Sequence, residues 1–195
     1  HELTLQLTLG ELLRTTQGVG SPDVGDVYTR AYPLAQQVGE TPQLVRVLWS
    51  LSQWHMTQGQ MAPADALAQR LLELVQGQPD TGFAVEGHFV RGTMASHRGD
   101  FLTARAHLED SCRLAATLPS PVRLLRGGFV SGVTPRTALA RVLWALGYAE
   151  QARQRSQEAL TLARQEDHIP TLAYAEYFVA LVCQCCRDVA ATQAH

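Results

Sequence analysis

Three of the four cysteines stand within four positions, Cys183-Gln184-Cys185-Cys186, and the fourth, Cys112, is far from them. Thiolates ligate metals and attack electrophiles, but zinc wants ligands converging tetrahedrally, and positions 183, 185 and 186 point to different sides of a helix. Buried free thiols are the simpler expectation, and an exposed one would be open to oxidation or an intermolecular disulfide. The seven histidines, His1, His55, His88, His97, His107, His168 and His195, contain no His-Glu-x-x-His spacing. Phe129-Val130-Ser131-Gly132 lacks the glycine two places before the serine that a nucleophile elbow needs. Glu109-Asp110 and Glu166-Asp167 are adjacent, and sequence neighbours splay apart on a helix, so neither is an acid/base pair. The sixteen basic residues are all arginine, and without lysine this segment supplies no phosphate-loop lysine and no Schiff-base nucleophile. These residues point to a protein that binds and does not catalyse, with no metal and no cofactor.

Charge narrows the partners. The net charge is −2, so no positive field draws in phosphate backbones or anionic lipid, and neither nucleic acid nor membrane is expected as a partner. No apolar run reaches the roughly 18 residues of a membrane span, and His1-Glu2-Leu3-Thr4 lacks the basic start of a signal peptide. Irregularly spaced cysteines suit a reducing cytoplasm. The chain starts inside an amphipathic pattern and reads as a piece of a longer polypeptide, and 46% hydrophobic content is ample for a continuous core.

The elements that would position any site come from an internal repeat. A turn glycine followed at short range by alanine recurs in Gly59-Gln60-Met61-Ala62-Pro63-Ala64, in Gly99-Asp100-Phe101-Leu102-Thr103-Ala104 and in Gly147-Tyr148-Ala149-Glu150-Gln151-Ala152, with the glycines 40 and 48 residues apart. Weaker echoes lie near Gly18 and at Arg187-Asp188-Val189. Helical apolar spacing flanks the turns, as in Leu44, Val47, Leu48 and Leu51 before one and Leu67, Leu71, Leu72 and Val75 after it. Breakers separate the units at Gly39-Glu40-Thr41-Pro42, Gln78-Pro79-Asp80, Leu118-Pro119-Ser120-Pro121 and His168-Ile169-Pro170. Helix pairs of this kind bury their apolar faces only by stacking, and Ala64, Ala104 and Ala152 allow close approach. The expected organisation is one domain, 1–195, with units at about 3–39, 42–78, 82–118, 135–168 and 171–195 and an inserted loop at 119–134.

The small residue, Gly turn and following Ala resemble the tetratricopeptide repeat, although the 40-residue period is longer than that family's usual unit. Leu143-Trp144-Ala145-Leu146-Gly147-Tyr148-Ala149-Glu150-Gln151-Ala152, continued through Arg155-Ser156-Gln157-Glu158-Ala159-Leu160, is similar to the C-terminal repeat regions of bacterial signalling ATPases of the adenylate-cyclase and maltose-regulon-activator types. Gly39-Glu40-Thr41-Pro42-Gln43-Leu44 with Val47-Leu48-Trp49 looks like the same group. The resemblance implies an all-α, right-handed superhelical solenoid of four to five antiparallel helix pairs beside a nucleotide switch. One departure is that the stretch Arg126-Gly127-Gly128-Phe129-Val130-Ser131-Gly132-Val133-Thr134-Pro135 stands where those relatives carry an acidic Asp-Pro-Gly turn.

In such a stack the first helix of each pair lines a concave groove, which the resemblance places at Arg46, Trp49, Gln53 and Met56, at Glu86, Phe89 and His97, at Arg141 and Trp144, and at Tyr174 and Tyr177. Aromatic and arginine side chains are the usual anchors of binding surfaces, but at helical spacing they also build cores. The 48-residue interval exposes an insertion whose glycines make it flexible, with Arg123, Arg126 and Arg136 around it as candidate contacts to a carboxylate or phosphate. The partner expected is a protein or peptide in the groove; a small anionic ligand under the loop, biasing an attached ATPase or cyclase, is the alternative.

Overall fold

A left-handed residue closes the first helix of four pairs in the same way. Gly59, Gly99 and Gly147 have φ of 72°, 80° and 89°, and the next residue's N–H reaches back five positions, from Gln60 to His55 O, Asp100 to Ala95 O and Tyr148 to Leu143 O, at 2.9, 3.0 and 2.8 Å. At the C-terminal echo the same bond joins Asp188 N–H to Cys183 O at 3.0 Å, but the left-handed residue is Arg187, φ 58°. A side chain in that region costs about 1–2 kcal/mol. Arg187→Gly should therefore tighten the last turn, read as slower amide exchange at Asp188 and Val189, and unchanged exchange would contradict it. The Gly18 echo differs: its ψ is 161°, and three more residues pass before the next helix starts.

The computed structural model describes residues 1–78, 80–118, 132–165 and 168–194. Among these residues there are ten helices and no strand: α1 (Glu2–Gln17), α2 (Pro22–Val38), α3 (Thr41–Thr57), α4 (Met61–Val75), α5 (Thr81–His97), α6 (Phe101–Ala115), α7 (Val133–Ala145), α8 (Ala149–Arg164), α9 (Ile169–Cys185) and α10 (Val189–Ala194). Their starts have local causes. Asp80, Asp100 and His168 accept backbone N–H bonds from Gly82, Thr103 and Thr171. Pro22, Pro42 and Pro170 sit in the first turns of α2, α3 and α9. The breakers Pro42 and Pro170 thus open the following helix as much as they close the previous one, because proline's missing N–H is unneeded there and its φ suits the helix; Pro79, Pro119 and Pro121 lie outside the described residues. No helix among the described residues is long and apolar enough to cross a membrane.

The chain forms two compact units, His1–Gln78 and Pro79–His195. In the first, α1 to α4 pack in succession around Leu3, Leu7, Val24, Tyr28, Ala31, Val47 and Leu51. In the second, α5, α6 and α7 enclose Ala95, Ala104, Leu108, Leu139 and Leu143, and α8 and α9 enclose Leu160, Ala163, Ala175 and Val179. Each fully buried leucine contributes about 1.5–3 kcal/mol. Ala64, Ala104 and Ala152 are wholly buried, as close approach requires. Within the second unit the first helices α5, α7 and α9 are lateral neighbours, which sets side chains from separate repeats beside one another.

Candidate binding site

In the second unit the C-terminal ends of α5, α7 and α9 and the start of α6 line a half-open cavity of about 310 Å³. Helical spacing brings three of the groove residues to it: His97 from the last turn of α5, and Arg141 and Trp144, three apart on α7. Phe101, Leu181, Val182 and Cys185 supply an apolar wall. Trp144 keeps 42% of its surface exposed. The Arg141 guanidinium lies 5.6 Å from the Phe178 ring centre. Desolvation first, and then the positive charge of Arg141, push the His97 imidazole below its usual pKa, so it is neutral at pH 7. The arrangement offers one cation, a neutral imidazole, an indole face and an apolar floor, which is chemistry for recognition.

Next to it α9 presents an aromatic cluster. The Tyr174 and Phe178 rings are 4.6 Å apart, and Tyr177 stands edge-on to Phe178 at 5.0 Å with 62% of its surface exposed. Burial pushes the Tyr174 phenol up from its ordinary value. Tyr174 and Tyr177 thus share this side of the unit with Arg141, linked through Phe178. The other two groove residues of this unit lie elsewhere: Glu86 is only 5% exposed, and Phe89 packs against the core of Ala95 and Leu139.

In the first unit the groove residues of α3 meet polar partners on α1. Glu11 accepts from Arg14 Nη1 at 3.3 Å through one carboxylate oxygen, and its other oxygen faces Arg46 Nη2 at 3.6 Å and accepts from the Tyr28 hydroxyl at 3.4 Å. Arg14, 10% exposed, lies over the Trp49 ring at 4.4 Å. Arg46 and Trp49 are therefore tied into a cation, carboxylate and indole stack. Gln53 and Met56 follow them on α3, both half-buried. Gln6 Oε1, Arg14 Nε, Gln43 Oε1, Arg46 Nε and Trp49 Nε1 are buried without a protein hydrogen-bond partner, which makes this the polar face of the unit.

Of the loop arginines, Arg123 and Arg126 lie outside the described residues. Arg136 is on the first turn of α7, where its guanidinium donates to Gly132 O at 2.8 Å, and it borders a shallow depression with Gln154, Gln157, Glu158 and Leu162 of α8. The cysteines are free; Cys183 is buried, and burial pushes the Cys112 thiol up to about 11, leaving it protonated at neutral pH.

Reading the sequence missed Glu11, Arg14 and Phe178, and it expected Cys185 to be a buried thiol, whereas it is half-buried and lines the cavity. Phe178 carried a usable signal, four residues after Tyr174 and so on the same helix face. Glu11 and Arg14 carried none, because the turn after α1 departs from the glycine pattern and leaves that helix without a register.

No family model and no curated protein matches the chain. Solved structures do. The nearly identical TPR-like repeats of a kinesin light chain candidate from Podosopora anserina superpose with a TM-score of 0.69 at 14% identity, over 98% of this chain and 90% of that one. A thermophilic TPR protein of Thermus thermophilus gives 0.66 at 16% identity, over 98% and 87%. A signal transduction ATPase with numerous domains and a tetratricopeptide repeat sensor, from Pyrococcus horikoshii, gives 0.64 at 10% identity, over 93% of this chain and 27% of that one. At these identities the likeness is one of fold, and the fold is the all-helical, tetratricopeptide-like repeat.

Proposed function

We propose that this chain is a non-catalytic helical-repeat module that holds a protein or peptide segment on the first-helix side of its second unit. The observation that carries the reading is the exposed face of Trp144 beside Arg141 on a cavity of about 310 Å³, with the largely exposed Tyr177 following on through the Phe178 ring that Arg141 approaches. Tryptophan, tyrosine and arginine dominate binding hot spots because they combine large area with few rotamers or with directed donors. The segment that fits has an apolar side chain for the cavity and an acidic group within reach of Arg141. A cytoplasmic place within a bacterial signalling ATPase is part of the proposal; its support is the resemblance of residues 143–160.

The size of the cavity, at the lower end of the range for small-molecule sites, favours a second reading in which it takes a small apolar carboxylate.

Selection of a displayed random-peptide library on the 195-residue chain tests the first reading. Selected peptides should share an apolar and acidic pattern, and Trp144→Ala should weaken them by about tenfold or more with the helical circular-dichroism spectrum unchanged. Selected peptides that bind Trp144→Ala and Arg141→Ala as well as the parent chain would overturn it, and capture only of free carboxylates by the parent chain would favour the second reading.

A further inference from the structure

His88 on α5 and His107 on α6 face each other away from the cavity just described. Their Nδ1 atoms are 3.2 Å apart, their ring centres 5.3 Å apart and their planes tilted by 48°. Two neutral imidazoles can hold one proton between facing nitrogens as an N–H···N bond. They can also give both lone pairs to one metal ion. Ligand nitrogens about 2.0–2.1 Å from a tetrahedral zinc ion lie roughly 3.3 Å from each other, so the observed separation matches that bite. We propose that His88 and His107 form a two-histidine site for a first-row divalent transition metal, zinc in type, that clips α5 to α6.

Several features support that choice of ligand. Imidazole is a preferred donor for zinc, nickel and copper. Burial is the main cause that holds both imidazoles below their ordinary pKa, so both are present in the neutral, ligating form at pH 7. Asp110, one turn beyond His107 on α6, brings a carboxylate oxygen to 3.8 Å from His88 Nδ1. That distance suits a carboxylate that accepts from a metal-bound water. Its other oxygen is already engaged by Arg113 at 2.7 Å. Among the described residues no group of three or more histidine, cysteine, aspartate or glutamate side chains converges on one point, so the proposed ion would take two protein nitrogens and otherwise solvent. Such a site is open, unlike a four-ligand structural zinc site.

The test is titration of the purified 195-residue chain with Co²⁺, followed by its visible absorption, and with Zn²⁺, followed by calorimetry and by the thermal unfolding midpoint. One ion per chain is expected, with cobalt d–d bands and no thiolate-to-cobalt band, and with a midpoint that rises with metal concentration. His88→Ala and His107→Ala should each weaken binding by about tenfold or more, whereas His55→Ala and His97→Ala should leave it unchanged. His107→Gln, which keeps a hydrogen-bonding side chain between the helices, separates loss of the ligand from loss of the fold. Absence of saturable binding up to about 1 mM metal would overturn the proposal. So would a complex with a thiolate band that survives both histidine substitutions, since that places the ion on the cysteines.

Discussion

Replacing Gly25 by alanine should destabilise the first unit by about 1–2 kcal/mol, although alanine is the better helix former by about 1 kcal/mol. Space decides the sign. A Cβ at Gly25 would overlap Cε2 and Cζ2 of Trp54 and come within 2.8 Å of Cδ2. The indole cannot simply swing aside, because its Nε1–H donates to Ser21 O at 3.0 Å and its ring rests edge-on against His55 at 5.0 Å. Either α2 and α3 move apart or the bond to Ser21 breaks. Urea unfolding followed by tryptophan fluorescence reads the change. Gly59→Ala is the contrasting variant: nothing lies within 4 Å of its added Cβ, so its cost comes only from φ of +72°. A Gly25→Ala midpoint equal to that of the parent chain would show that α2 and α3 have slack this contact does not suggest.

Removing the Glu11 carboxylate should cost about 1–3 kcal/mol, between the small value of an exposed ion pair and the larger value of a broken buried one. Glu11 is 30% exposed, but it accepts from Arg14 and Tyr28 and forms an ion pair with Arg46. Glu11→Ala leaves the Arg14 guanidinium, nine-tenths buried over Trp49, without its counter-charge. Glu11→Gln keeps an acceptor and should recover part of the loss. A double-mutant cycle of Glu11→Ala with Arg46→Met should give a coupling above about 0.5 kcal/mol. Strict additivity would mean that the 3.6 Å pair between α1 and α3 contributes nothing to holding the first helices together.

The proposed partner side of the second unit depends on first helices lying beside one another, and the Glu11 stack is how the first unit joins its own pair of first helices. Charged and aromatic side chains cross from one repeat to the next, and they also supply the groups that a partner would meet. Apolar side chains also cross from one repeat to the next, as where Leu108 of α6 shares a core with Leu139 and Leu143 of α7.

Helices, turns and their repetition were legible in the residues alone, because their causes are local. A 3.6-residue apolar period selects helix, a turn that needs positive φ selects glycine at positions 59, 99 and 147, and wholly buried alanines mark where helices must touch. Local rules also placed His97, Arg141 and Trp144 on first helices, and helix neighbourhood brought them to one cavity. Tertiary structure decided what no local rule encodes. Gly25 looks like any glycine within a helix until Trp54 is packed against it, and Arg187 holds a turn conformation that its residue type disfavours because the stacked helices on both sides require it. The pairing of His88 with His107, and of Glu11 with Arg46, joins positions on different helices. Such meetings depend on how far each helix is rotated and displaced along its neighbour, and that is set by the packing of whole faces and not by the identity of any one residue.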